Sequence, residues 1–440
     1  MKKFYLFFIF VILSNCSFDT KTGIWINNNE NFNVKEDRFK DFKELFTQDK
    51  LFNKTIDPSN KLNIILKSPV SNSNWPDEYY KNSNSLDNFS YSSLNQIFFK
   101  SKKISNSKTN STLLYESGNI IAADEKGNII VYSLENENII FRYNFYKKKH
   151  KKIIKNLNII IEGDTIYVGD NLGYVYALNY INRKLLWAKN YKIPFRSNIK
   201  IVKNNILISD INNVLYFIDK KSGNKVRLIP TEEVTIKNTF KNSIAHQNNF
   251  SVFLNTYGSL YFFDENTDIQ WFLNLNQSVD ISTNNLFYSN QLILDRDKII
   301  ASTDPFLYIL DSRTGATLIK SAITSQLRPI ISGDNIFLIT NNNLLVCLNI
   351  NTGKIEYSID ITQRIADYLD TKKKTIDIKS LILVNNELYI FLNNSYLVKF
   401  FSDGQIKDIN KLPAKLGSLP IFVNNSMIYL NNRNKIIIVN

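Results

Sequence analysis

At 440 residues the chain is long enough for two or three average domains or for one closed repeat body. With 44% hydrophobic residues, 23 Tyr and 30 Phe it carries the apolar material of a large core, which excludes a chain disordered throughout. Its formal charge of +14 comes from Lys scattered among Asn and Ile, with one dense run from Lys147 to Lys152 around His150. Such a run reads as a solvated loop, and the dispersal of the rest argues against a nucleic-acid partner.

In chain order, Lys2 and Lys3 precede the apolar run Phe4 to Leu13, which is too short to span a bilayer and has the order of a bacterial export signal. Leu13-Ser14-Asn15-Cys16 resembles a lipobox, with Asn15 where a small residue is usual. That resemblance implies a signal peptide over 1–15 and lipidation of Cys16, and Ser17 implies the outer membrane; the alternative is an ordinary secretory signal with an incidental cysteine. With Cys16 acylated, only Cys347 remains, so no intramolecular disulfide forms. Residues 16–95 are rich in Asn, Asp, Ser and Lys without sustained alternation, and read as a lipid-anchored polar tether. Phe39, Phe42, Leu45 and Phe46 predict a short amphipathic helix near 35–48, which docks on the body or engages a partner.

From residue 96 onward a unit recurs: a turn with Asn, Asp or Gly, an apolar strand, a second turn, another strand. DNLGYVYALNYINRKLLW at 170–187 is the clearest copy. One column runs Tyr132, Tyr176, Tyr216, Tyr261, Tyr308, Val346, Lys399, Ile437, with a mean spacing of about 44 residues, the period of a four-stranded propeller blade. A second column, Phe141, Trp187, Arg227, Trp271, Ile319 and Tyr357, follows the first by 9 to 11 residues. Its large flat side chains, Trp187, Trp271 and Tyr357, are expected to bury themselves between adjacent blades. The fold class is therefore all-β, an eight-bladed β-propeller of four-stranded antiparallel blades over 96–440. The chain stops at Ile436-Ile437-Ile438-Val439-Asn440, so the last blade is expected to be completed by an N-terminal strand within Gln96 to Ser105.

Tyr176-Ala177-Leu178-Asn179 with Trp187, and Gly353-Lys354 before Tyr357, resemble the repeat first known from quinoprotein alcohol dehydrogenases. The lipobox, the polar tether, Trp75-Pro76 and eight copies together resemble the lipoproteins of the outer-membrane β-barrel assembly machinery. That resemblance implies a non-catalytic scaffold on the periplasmic face of the outer membrane. Its partners would be the periplasmic repeat domains of the central barrel-forming subunit and unfolded outer-membrane proteins.

The chemistry-bearing residues agree with that reading. His150 and His246 are the only histidines, which supports neither a His-based metal cluster nor a His-dependent triad. No adjacent cysteine pair stands where the quinoprotein dehydrogenases have one, and the carboxylates of the repeats fall at turns, where they cap backbone amides. No catalytic residue, metal or cofactor is expected. The loop after Trp187, with Pro194, Phe195 and Arg196, sets an aromatic beside an arginine, the side chains enriched among binding hot spots. In the resembled family a loop in a similar place carries a Leu and Arg pair that contacts the barrel-forming subunit, with Phe195 here in place of the Leu. The alternative is that Phe195 packs between blades and Arg196 pairs with a carboxylate. Arg328, in Leu327-Arg328-Pro329, is a second partner-binding candidate. Three other functions fit the same fold: a quinone-dependent dehydrogenase, a ligand-sensing propeller and an envelope adhesin.

Overall fold

Short runs of Ile, Leu, Val, Phe and Tyr, stopped by turns at Asn, Asp and Gly, pair with their sequence neighbours because a tight turn leaves the next run antiparallel to the last. The structure is a computed structural model that describes residues 16–18, 25–27, 52–59, 62, 64–235, 239–276 and 286–440, with the backbone alone for 16–18, 25–27 and Lys149. Among these residues eight four-stranded antiparallel sheets form in chain order. Blades 1 to 7 occupy 114–144, 157–190, 200–229, 243–274, 293–321, 330–360 and 378–411. Blade 8 is built from Ile421–Val423, Ser426–Leu430 and Lys435–Val439, and Ile97–Lys103 lies antiparallel against Lys435–Val439 as its outermost strand. Cys16–Phe18 pairs with Trp25–Asn27 in a separate unit, Met1–Lys50, and the remainder of that unit, including the signal segment 1–15 and the expected helix at 35–48, lies outside the described residues.

All eight members of the first column stand in the third strand of their blade, and all six of the second stand in the fourth. Val131 faces Phe141, Ala177 faces Trp187, Phe217 faces Arg227, Phe262 faces Trp271, Ile309 faces Ile319 and Cys347 faces Tyr357, each beside a β-bulge. The bulge turns that side chain towards the following blade. Trp187 Nε1 donates to the Lys220 carbonyl at 3.0 Å, Trp271 Nε1 to Ser312 at 3.2 Å, and Tyr357 Oη to Ser402 at 2.8 Å, each acceptor lying in the next blade's outer turn. Arg227 makes the same reach through Thr267 and Asp268.

These rings lie on turn glycines. Gly223 has φ +70°, and a Cβ there would come within 2.4 Å of the Trp187 ring, whereas one at Gly118, φ +77°, would meet open space. Gly223→Ala is therefore expected to cost about 2–4 kcal/mol, combining left-handed strain with overpacking, against about 1–2 kcal/mol for Gly118→Ala. Urea unfolding of both variants checks this, and equal losses would remove the inter-blade contact as the cause.

One expectation is corrected. The tether reading of 16–95 fails for 64–95, which is built into the body: Trp75, Tyr80, Leu86, Phe89 and Tyr91 are all buried. This segment crosses the inner strands of all eight blades. Trp75 pairs with Tyr115 of blade 1, and Ile161 of blade 2 donates to the Pro76 carbonyl. Asn82 Nδ2 donates to Ile201 of blade 3, and Asn84 Nδ2 to Ile244 of blade 4 and Leu292 of blade 5. Lys67 N reaches Ser332 of blade 6, Phe89 N reaches Leu383 of blade 7, and Asn72 Nδ2 reaches Phe422 of blade 8. An eight-residue helix, Ile361–Tyr368, follows blade 6 and is N-capped by Asp360, which accepts from Gln363 N at 3.0 Å.

Candidate functional site

The loop between blades 2 and 3 is held by backbone bonds. Phe195 N donates to the Asp170 carbonyl at 3.0 Å and Arg196 N to Ser209 at 2.8 Å. The Phe195 ring is 3% exposed and packs edge-on against Tyr191 and Tyr216, with centroids 5.6 and 5.3 Å away. The expectation that Phe195 presents an aromatic to a partner is therefore corrected: the ring is core, because two tyrosines close over it. Pro194 and Arg196 are half-buried at the surface of the same loop, and Lys192 beside them is exposed.

Arg328 is likewise not on the outer surface. It points into the central channel, where Nη1 donates to the Tyr79 carbonyl at 3.0 Å and to Asn84 at 2.9 Å, and its guanidinium lies 5.3 Å from the Tyr79 ring centroid. It clamps the crossing segment rather than offering itself to a protein partner.

That segment floors the channel. Above it opens a mouth of about 320 Å³ lined by Lys108, Lys155, Lys241, Glu78 and Glu125 with Asn and Thr side chains from blades 1 and 2. Glu78 is raised above the usual carboxylate range by burial, partly offset by Lys241. Deeper, the buried Lys200 ammonium bonds Asp77 at 2.8 Å and the Lys81 carbonyl at 2.9 Å. Of the two histidines, His150 stands in the Lys148–His150 turn, and His246 Nδ1 lies 3.0 Å from Ser251 Oγ, its pKa lowered by burial. Cys347 is fully buried and free, burial pushing its thiol up. Among the described residues no three His, Cys, Asp or Glu converge as a metal site.

On the outer rim, the last strands of blades 2 to 5 leave Leu186, Val226, Leu228, Phe272 and Leu318 exposed. Sequence reasoning missed both the channel floor and this rim. The rim residues alternate with the second column, so their outward direction follows from the register.

The family model described as "Outer membrane protein assembly factor BamB" matches residues 159–376. Among solved structures the fold is similar to BamB from Moraxella catarrhalis, with TM-score 0.61 and 14% identity over 77% of this chain and 99% of that one. It is also similar to a europium-containing methanol dehydrogenase (TM-score 0.62, 11% identity, 83% and 89% covered) and to the computationally designed Ika8 protein (TM-score 0.58, 11% identity, 78% and 99% covered). No curated protein sequence matches the chain. The dehydrogenase-type repeat implies a quinone and a calcium ion. Only Glu78 and Glu125 are acidic in the mouth, and among the described residues no third His, Cys, Asp or Glu joins them, so the lining does not fit the calcium ion.

Proposed function

We propose, on the premise that the chain is a BamB-like propeller of PQQ-type repeats, that it is a non-catalytic scaffold lipoprotein of the outer-membrane β-barrel assembly machinery. Anchored by lipid at Cys16 on the periplasmic face of the outer membrane, it holds the periplasmic domains of the barrel-forming subunit in orientation and helps receive unfolded outer-membrane proteins. The observation that carries this reading is the family match itself, which spans blades 2 to 6 and includes the loop between blades 2 and 3. Among the described residues no acidic cation site converges at the channel mouth, which weighs against the quinone- and calcium-dependent alternative, and that alternative shares the fold alone.

The contact surface assigned to the partner is Lys192, Pro194 and Arg196, with Phe195 supporting the loop from beneath. A mild-detergent pull-down of the lipidated protein from envelope membranes tests it. Wild type is expected to recover the barrel-forming subunit, and Lys192→Glu with Arg196→Glu to lower recovery at least about tenfold at unchanged fold, since charge reversal at a contact turns attraction into repulsion. Phe195 is left in place because losing its ring reads as instability. Failure of wild type to recover the subunit overturns the role; full recovery by the double variant overturns the surface.

A further inference from the structure

In every blade the second strand ends on the same side as the fourth, so the turns between strands two and three and the connections from blade to blade share one face of the ring. Isolated bridges fix this directly: Thr109 with Asp124, Phe195 with Asp210, Ser325 with Thr340 and Leu416 with Asn431 each join a connection to the next blade's turn. Lysines scattered through the sequence collect on that face. Lys147, Lys148, Lys151 and Lys152 are exposed in the connection from blade 1 to blade 2, and 145–156 holds no carboxylate. Asn156 N in the same connection donates to Asn171 Oδ1 of the blade 2 turn at 2.9 Å. Lys372, Lys373 and Lys374 are exposed in the connection from blade 6 to blade 7. Between the two runs, round blade 8, the face shows Lys415, Arg433, Lys108 and Lys126, all exposed.

Most acids of this arc are turned inward or engaged. Asp124 and Asp170 are 1% and 0% exposed, each accepting from two backbone N–H groups of its own turn. Asp360 accepts from Lys373, Asp367 from Gln363 and Asp377 from Asn393. The turns on the opposite face mix the two signs, with Asp264, Glu265 and Asp268 in blade 4 and Lys220 and Lys221 in blade 3. Hydrocarbon stands beside both lysine runs. Ile153 and Ile154, directly after the first, are 43% and 62% exposed, and Tyr368 and Leu369, just before the second, are 50% and 49% exposed. At the headgroup boundary of an anionic bilayer the ammonium groups meet lipid phosphates and the apolar side chains leave water. A soluble polyanion would match the lysines alone and leave those four side chains hydrated.

We propose that this arc, from blade 6 through blade 8 to blade 2, rests on the surface of a bilayer that carries anionic phospholipid. The contact stands on the loops' own residues and needs neither lipid at Cys16 nor the scaffold reading. Lys192 and Arg196 lie at the arc's edge and stay unchanged in its test, so that the two contacts fail separately.

The full chain carrying Cys16→Ser, which has no thiol to acylate there, is floated with vesicles of about 30% phosphatidylglycerol in phosphatidylcholine. Saturable binding is expected, and at least about tenfold weaker binding to phosphatidylcholine alone. Lys147→Glu, Lys148→Glu, Lys151→Glu and Lys152→Glu together are expected to weaken it at least about a hundredfold, and Lys372→Glu with Lys374→Glu about tenfold by themselves. The same change of net charge on the opposite turns, Arg183→Glu, Lys184→Glu, Lys221→Glu and Arg313→Glu, is expected to stay within about twofold of wild type. Ile153→Ser with Ile154→Ser is expected to lower vesicle binding about tenfold while leaving heparin binding unchanged. Urea midpoints equal to wild type show that each variant is folded. Equal affinity for the two vesicles, equal loss from charge reversal on either face, or full vesicle binding by the isoleucine variant would each overturn the proposal, the last assigning the arc to a soluble polyanion.

Discussion

Above pH 10 the folded body is expected to lose stability at about 7 kcal/mol per pH unit and to unfold cooperatively. Tyr176, Tyr308, Tyr357, Tyr389 and Tyr429 are fully buried. Burial raises all five phenols, Tyr308 to about 12 and the other four further. Tyr308, Tyr357 and Tyr429 also donate to backbone carbonyls, which a phenolate could not do. In the unfolded chain each ionises near pH 10. The stability these groups contribute is thus fully present below pH 10, and between 10 and the folded values the unfolded state binds fewer protons than the native one. Each then contributes about −1.4 kcal/mol per pH unit, and a margin of about 5–15 kcal/mol is gone within about two units. Tyrosinate absorbance at 295 nm and far-UV circular dichroism should move together in one steep step. Gradual ionisation of the whole tyrosine complement near pH 10 with the sheets intact would contradict the burial.

The tyrosines of the third strands show why the fold was legible. Tyr176, Tyr216, Tyr261 and Tyr308 recur because one position of the third strand always faces the same layer, and period-2 alternation between turn residues carries that into the sequence. The turn acids were legible for the same reason. Asp219 Oδ1 accepts from Ser222 N at 2.7 Å, Asp311 Oδ1 from Thr314 N at 2.8 Å and Asn349 Oδ1 from Thr352 N at 3.0 Å, one geometry repeated. Residues 64–95 have no period to read, because each contact is to a different blade. Their Asn residues look like solvated linker in a sequence, yet Asn72, Asn82 and Asn84 donate to carbonyls of four blades. The helix at Ile361–Tyr368 was missed because it replaces a loop in one repeat only.

Phe195 was misplaced although a signal for it existed. It forms an isolated bridge with Asp210, and Thr109 with Asp124, Ser325 with Thr340 and Leu416 with Asn431 do the same at the same spacing. A residue in that repeated place belongs to the architecture, and a hot-spot composition does not override it. Arg328 belongs to the three-dimensional closure of the channel, since Tyr79 and Asn84, which hold it, are about 250 residues away in the chain. What remains for the proposed partner is the outer skin of the loop, Lys192 and Arg196.

Breaking one ion pair is expected to release the segment that crosses the blades. Asp77 and Lys200 have side chains 3% and 0% exposed, and Asp77 also accepts from Tyr79 N at 2.6 Å. Asp77→Ala leaves an ammonium in a site where burial already lowers its pKa and Asp77 is the main group pulling it back. Removing one partner of such a pair costs about 3–5 kcal/mol, whereas replacing both with well-packed apolar side chains is close to neutral. Asp77→Leu with Lys200→Met should therefore recover most of what Asp77→Ala loses in urea unfolding. The pH dependence separates lost charge from lost shape. In Asp77→Ala the folded Lys200 pKa lies further below the unfolded 10.5, so below the folded value the penalty is complete. As pH rises through that window the unfolded chain holds the extra proton, the native ammonium becomes neutral, and the deficit relative to wild type narrows. A deficit below about 1 kcal/mol, or one constant with pH, would mean that the pair is solvated and that residues 64–95 can leave the channel without disturbing the ring.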